Sequence, residues 1–213
     1  MLRCAIFLVC FSLFVGLSVA DASIIVSGDG DELVVEVAGS SVTPFTPVAI
    51  SVHPVWQPND PNGLGAVWVS FDDTGQPGTV SVPNSTTTPA MVVEETISVG
   101  PGGAILDLDV WADDTAGVFI DGTSVFTPNF VQDGACADGA IACEVGEAGM
   151  INEFLAEGTH TLRFEVYQVG GGPFGLLYSA EINAVPEPTT LVIWSLLATL
   201  GLSFYRRRRR RAF

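Results

Sequence analysis

Between residues 23 and 185, Gly, Pro, Ser and Thr cut the apolar sequence into short runs at close intervals. Ile24-Ile25-Val26, Leu33 to Val37, Val48 to Val52, Ala66 to Phe71 and Thr79 to Val82 read as strands separated by turn residues. Alternation is clearest further along. In Ile105 to Ala112, Leu106, Leu108 and Val110 share one face, and Asp107, Asp109 and Trp111 share the other. Val118-Phe119-Ile120 and Ser124-Val125-Phe126 flank Asp121-Gly122, a strong hairpin signal. In Thr161 to Tyr167, Leu162, Phe164 and Val166 point one way, and Arg163, Glu165 and Tyr167 the other. A last strand is expected near Leu176 to Ile182, after the break at Gly170-Gly171-Gly172-Pro173. Only Glu147 to Glu157 has helical character: Met150, Ile151, Phe154 and Leu155 fall on one side of a helix, and Gly158 can end it. The expected fold class is all-β, a β-sandwich of jelly-roll type.

Charge divides the chain into three. Lysine is absent, and the basic residues lie at the two ends apart from Arg163. Residues 23–185 carry 22 acidic residues against that one arginine, a formal charge of −21. Such a body repels phosphate backbones, which excludes nucleic acid as its partner. The apolar content is too high and too well patterned for disorder.

The first segment, 1–22, has Arg3, an apolar run from Cys4 to Val19, and Ala20-Asp21-Ala22. These are the parts of a secretory signal peptide, so Sec-type export machinery and signal peptidase are expected partners. Cleavage is expected after Ala22, with Ala20 the alternative. The body is 23–184. The third segment, 185–213, opens with Val185-Pro186-Glu187-Pro188 and continues with Thr189 to Tyr205, 17 residues without a charge. As a helix this run spans roughly 26 Å, enough for a hydrocarbon core. Arg206, Arg207, Arg208, Arg209, Arg210 and Arg211 then stop transfer and keep that end in the cytoplasm. The expected topology is one C-terminal transmembrane helix with the body outside.

Pro186-Glu187-Pro188, the apolar span and the arginine cluster together resemble the PEP-CTERM sorting signal. That resemblance implies cleavage near the motif by a membrane enzyme called exosortase. It also implies release or attachment at the cell surface or in the extracellular matrix, and an association with exopolysaccharide and biofilm production. An uncut C-terminal anchor is the alternative. A second resemblance lies in the body. Trp111-Ala112-Asp113-Asp114, Val118-Phe119-Ile120-Asp121-Gly122 and Gly158-Thr159-His160-Thr161-Leu162-Arg163-Phe164 are similar to strings of the galactose-binding-like jelly roll found in carbohydrate-binding modules. It implies the fold; it does not name a ligand.

Three sets of residues could carry chemistry. Cys136 and Cys143 are the only cysteines beyond the first segment, and an oxidising exterior favours a disulfide between them. Asp107, Asp109, Asp113, Asp114 and Asp121 gather around one strand and its hairpin. Asp109, Asp113, Asp114 and Asp121 are candidate Ca²⁺ ligands, and a solvated acidic face is the other reading. Gly28-Asp29-Gly30-Asp31-Glu32 is a partial echo of a Ca²⁺ loop and lacks its full spacing. Trp56, Trp68, Trp111 and Tyr167 could form a stacking platform for a sugar or pack the sandwich, and Trp111 is expected to face outward. No nucleophile elbow and no H-E-x-x-H pair occurs, so no enzyme and no bound cofactor are expected. The expected function is a non-enzymatic, exopolysaccharide-associated surface or matrix protein. The alternatives are a carbohydrate-binding module with a defined glycan and, more remotely, a two-carboxylate polysaccharide hydrolase.

Overall fold

The computed structural model describes residues 22–185 and 193–202. Its strands, in chain order, begin with β1 (Ser23–Val26), β2 (Leu33–Val37), β3 (Ser40–Phe45), β4 (Val48–Ala49) and β5 (Val69–Ser70). The longer β6 (Met91–Val99), β7 (Ala104–Asp113), β8 (Thr115–Ile120) and β9 (Thr123–Phe126) follow. The last are β10 (Gln132–Asp133), β11 (Cys136–Ala137), β12 (Gly149–Leu155), β13 (Gly158–Tyr167) and β14 (Gly175–Ala184). One sheet runs β12-β7-β14-β5-β4, with β1 also on β14; the other runs β3-β2-β6-β13-β8-β9. Every pairing is antiparallel, and the chain passes repeatedly from one sheet to the other, as in a jelly roll. The β10–β11 pair stands apart as a small ribbon.

The main core lies between the sheets. Leu106, Leu108 and Val110 of β7 meet Leu162, Phe164 and Val166 of β13 in it, as their alternation predicts. The Asp121-Gly122 turn joins β8 to β9 with both residues at positive φ (51° and 76°), the geometry of a tight two-residue hairpin.

Two sequence expectations are corrected, and one strand is additional to those expected. Residues 149–155 form β12, not a helix, and pair with β7 from Gly149↔Val110 to Leu155↔Ala104. The free edge of β7 offers a full backbone ladder, and that outweighs a side-chain pattern compatible with either period. Ile151 and Leu155 enter the core, while Met150 and Phe154 face outward. Thr79 to Val82 forms no strand. Strand β6, which the apolar pattern did not reveal, occupies the middle of the second sheet, because its alternation is broken by the inward-facing Glu95.

The apolar tail segment contains a helix over 193–202 with exposed side chains. Among the described residues no helix is long and apolar enough to cross a membrane. The expected signal peptide, the Pro186-Glu187-Pro188 motif, the remainder of the expected span and Arg206 to Arg211 lie outside the described residues.

Candidate functional site

The outer face of the first sheet is divided between a covered half and an open half. Loops 50–68 and 134–148 fold back over one half and build a second, smaller core from Val26, Trp56, Trp68, Trp111, the two cysteines and Leu177. Trp111 therefore occupies the outward face expected of it and is still only 4 % exposed. Trp56 and Trp68 share this core with it, their rings 4.3 Å apart at 31°. Each indole removed from water contributes about 4–6 kcal/mol at ~25 cal/mol per Å² of apolar surface, ample reason for the loops to close. The sugar platform expected of Trp56, Trp68 and Trp111 is thus corrected: none presents an open ring face. Tyr167 is also buried, edge-on to Phe130.

Cys136 and Cys143 form the expected disulfide, with Cα atoms 5.8 Å apart, and clip the covering loop. Gly149 and Gly175 leave the room this packing needs. A Cβ on Gly149 would lie 2.1 Å from Ile141 Cγ1, and one on Gly175 would lie 2.7 Å from Ile50 Cδ1.

The four candidate Ca²⁺ ligands do not converge. Asp121 sits at the β8–β9 turn, where its carboxylate accepts a hydrogen bond from Thr161 N and holds His160 Nδ1 at 2.7 Å. That contact, with His160 foremost, holds Asp121 below its ordinary pKa. Asp114 is buried and accepts hydrogen bonds from Val169 N (2.5 Å) and Gly170 N (2.7 Å), ordering the β13–β14 loop. Asp113 is buried beneath Trp56, whose Nε1 donates to Asp113 Oδ2 at 2.7 Å. Burial, and then the neighbouring Asp114 charge, push the Asp113 pKa up to about 9, so this carboxyl is neutral at pH 7. Asp109 stands on the open half of the sheet. Close spacing in sequence hid these differences, because consecutive residues of a strand point to opposite faces.

The open half forms a groove of about 230 Å³. Cross-strand pairing sets its floor. Met150 lies opposite Asp109, Asn152 opposite Asp107, and Asp107 in turn opposite Glu181 of β14, with Ser179 opposite Asp109. Asn62, at the tip of loop 57–66, closes one end, donating from Nδ2 to Asp109 Oδ2 and to Ser179 Oγ, both at 2.9 Å. Asn152 donates to Asp107. The loop is braced by Trp68 N donating to Asn59 Oδ1 (3.0 Å) and Gly65 N to Asp60 Oδ1 (2.5 Å), so Asn62 is held in place. Met150 (79 % exposed) and, farther along β12, Phe154 (57 %) add apolar surface to the same outer face. The sequence pattern assigned Met150 and Phe154 to a helical core and missed them here. The usable signal was the alternation Met150-Asn152-Phe154 against Ile151-Leu155.

A second recess of about 260 Å³ lies at the end of the sandwich, among His53, Asp113, Gln132, Gly170 and Pro173. Three glycines are among its lining residues, and its one carboxyl is the neutral Asp113.

No family model matches the chain, and no curated protein matches it. Among solved structures, it is similar to the native structure of a family 35 carbohydrate-binding module from Clostridium thermocellum, at 13 % identity and a TM-score of 0.40, covering 78 % of this chain and 100 % of that one. The CBM35 from Paenibacillus barcinonensis has 15 % identity and a TM-score of 0.38, over 76 % of this chain and 99 % of that one. The CBM35 of Cellvibrio japonicus Abf62 has 11 % identity and a TM-score of 0.39, over 76 % of this chain and 98 % of that one.

Proposed function

We propose that this chain is an exported, non-catalytic surface protein whose body binds an extracellular polysaccharide in the open groove of its first sheet. The observation that carries this reading is the groove itself. Asp107, Asp109, Glu181, Asn62, Asn152 and Ser179 line it, beside the exposed Met150. Carboxylates and amides side by side recognise the hydroxyls of a sugar, and exposed apolar side chains suit the carbon face of the ring. The same carboxylates repel uronate and sulfated chains, so the ligand is a neutral or amino-sugar polymer.

Export is supported by the disulfide, which suits an oxidising compartment, and by the signal-peptide pattern of residues 1–22. In this reading Sec-type machinery and signal peptidase deliver the body across the membrane. The 185–213 tail holds it through a helix over Thr189 to Tyr205, and an exosortase-like enzyme cuts near Pro186-Glu187-Pro188. The body then joins the cell surface or matrix.

Binding to a panel of neutral, amino-sugar and uronate polysaccharides tests the central statement. A neutral or amino-sugar polymer is expected to bind, with at least tenfold loss in Asn152→Ala and Met150→Ala. Binding confined to uronates, or unchanged in both variants, would contradict it. Intact mass of the mature protein tests the tail: a species ending at Phe213, in a host with an active exosortase, would contradict processing.

A further inference from the structure

One histidine touches two turns that belong to different parts of the sandwich. His160 lies near the start of β13, on the same side of the strand as Leu162, Phe164 and Val166 and opposite Ile97 of β6 in the register. Its side chain is only 13 % exposed, so the ring has little water to turn to. Nδ1 lies 2.7 Å from Asp121 Oδ2, in the turn between β8 and β9. Nε2 lies 2.8 Å from the carbonyl oxygen of Ala156, in the turn between β12 and β13.

Both partners are acceptors. Asp121 Oδ1 already accepts from Thr161 N at 2.9 Å, which sets the carboxylate in place, and a peptide carbonyl has no proton to give. A neutral imidazole has one N–H and one lone pair. It satisfies one of these contacts and sets its lone pair against an oxygen in the other. Imidazolium donates to both. The Ala156 carbonyl, and then Asp121, accordingly raise the His160 pKa above its ordinary 6.5.

Among the ionisable groups near the ring, Asp121 is the one whose charge acts on it. Glu153 of β12 and Glu157 of the following turn are exposed. Arg163 and Glu165 stand on the opposite face of β13, bonded to each other. On β6, Ile97 and Val99 are apolar, and the buried Glu95 is farther along the inward face. No group of three or more ligating side chains among the described residues includes Asp121 or His160, so the carboxylate serves the ring and not a cation.

Position gives the contact its effect. Among the described residues β12 is the edge strand of the first sheet, paired with β7 alone, whereas β8, β9 and β13 belong to the second. Ala156 comes one residue after β12 ends.

We propose that His160, as imidazolium, is a pH-sensitive clamp that holds the chain leaving β12 against the β8–β9 turn, joins the two sheets at that end and keeps the edge strand docked. A folded-state pKa raised above the unfolded value makes this contribution complete below pH 6.5 and lost as pH rises through the folded-state value. The clamp does not depend on what the groove binds.

NMR titration of the imidazole rings in the purified full chain, with amide exchange read as protection factors, tests it. The His160 midpoint is expected above 6.5, and Asp121→Asn is expected to lower it toward 6.5. The fold tolerates that variant, since asparagine before glycine suits a turn with positive φ at both positions. Glu157→Gln, in the neighbouring turn, is expected to leave the midpoint in place. Protection over Asn152 to Leu155 is expected to fall about fivefold as pH rises through the midpoint, the loss of one hydrogen bond, and to stay low at every pH in His160→Gln. A midpoint at or below 6.5, or one that Asp121→Asn leaves unmoved, would overturn the proposal. So would a midpoint that Glu157→Gln lowers equally, which would mean the general field of the acidic body, or β12 protection that is the same on both sides of the midpoint.

Discussion

Asp113 is a carboxyl that the covering loops make neutral, and Asp113→Asn isolates the consequence. In the protein it lies under Trp56, 4 % exposed, and its pKa is pushed to about 9 from an ordinary 3.8. A raised folded-state pKa means that the folded chain binds a proton the unfolded chain releases. The stability this group contributes is therefore complete below pH 3.8 and is lost progressively as pH rises to about 9. At pH 7 the gap is about three pH units above the unfolded value, a cost of about 4 kcal/mol at 1.36 kcal/mol per unit. Asparagine keeps the shape, the acceptor for Trp56 Nε1 and a donor toward Asp114, and it carries no charge to extinguish. The variant should match the wild type near pH 4. It should then exceed it by a growing margin, about 8–16 °C in Tm at pH 7, levelling off above pH 9. Comparing variant with wild type at each pH cancels the parallel titration of Glu95, whose pKa burial and the acids of the β1–β2 turn raise to about 8. Tm measured from pH 4 to pH 10 decides it. A variant less stable at every pH, or a difference independent of pH, would show that Asp113 is ionised in the fold and refute the reasoning.

Two further outcomes test the covering loops. Replacing Cys136 and Cys143 together with alanine opens a loop of sequence separation 7; chain entropy puts the loss at about 2–3 kcal/mol, seen as a lower urea midpoint with an unchanged slope. Gly149→Ala places a methyl group against Ile141, so it should destabilise by about 1–3 kcal/mol in the same urea unfolding and loosen loop 134–148, with faster amide exchange at Ala142 and Cys143.

The sandwich was legible where one face of a strand meets the core. Leu106-Leu108-Val110 and Leu162-Phe164-Val166 have the period of a half-buried strand, and Asp121-Gly122 has the chemistry of its turn, so β7, β8, β9 and β13 follow from local sequence. Strand β6 was hidden because Glu95 takes an inward position that alternation reserves for an apolar residue. Strand β12 was misread because Met150, Ile151, Phe154 and Leu155 satisfy a helical stripe, and only its pairing to β7 separates the two readings. The site failed for a related reason. The face on which Trp111 stands was right, yet its burial depends on residues of distant loops, Trp56, Trp68 and Cys143 among them, that join it in one core. Nothing local to Val110-Trp111-Ala112 records that contact. Uncovered positions, by contrast, take their exposure from what does not reach them, as at Met150, Asn152 and Phe154.

The proposed function requires a polysaccharide to meet the open groove of the first sheet. Amide and methyl chemical-shift mapping, with the polysaccharide that binds best, measures this directly. The groove reading predicts shifts concentrated at Asn62, Asp107, Met150, Asn152 and Glu181, with His53, Gln132 and Gly171 unmoved. Shifts confined to the recess around His53, Gln132 and Gly171 would contradict it.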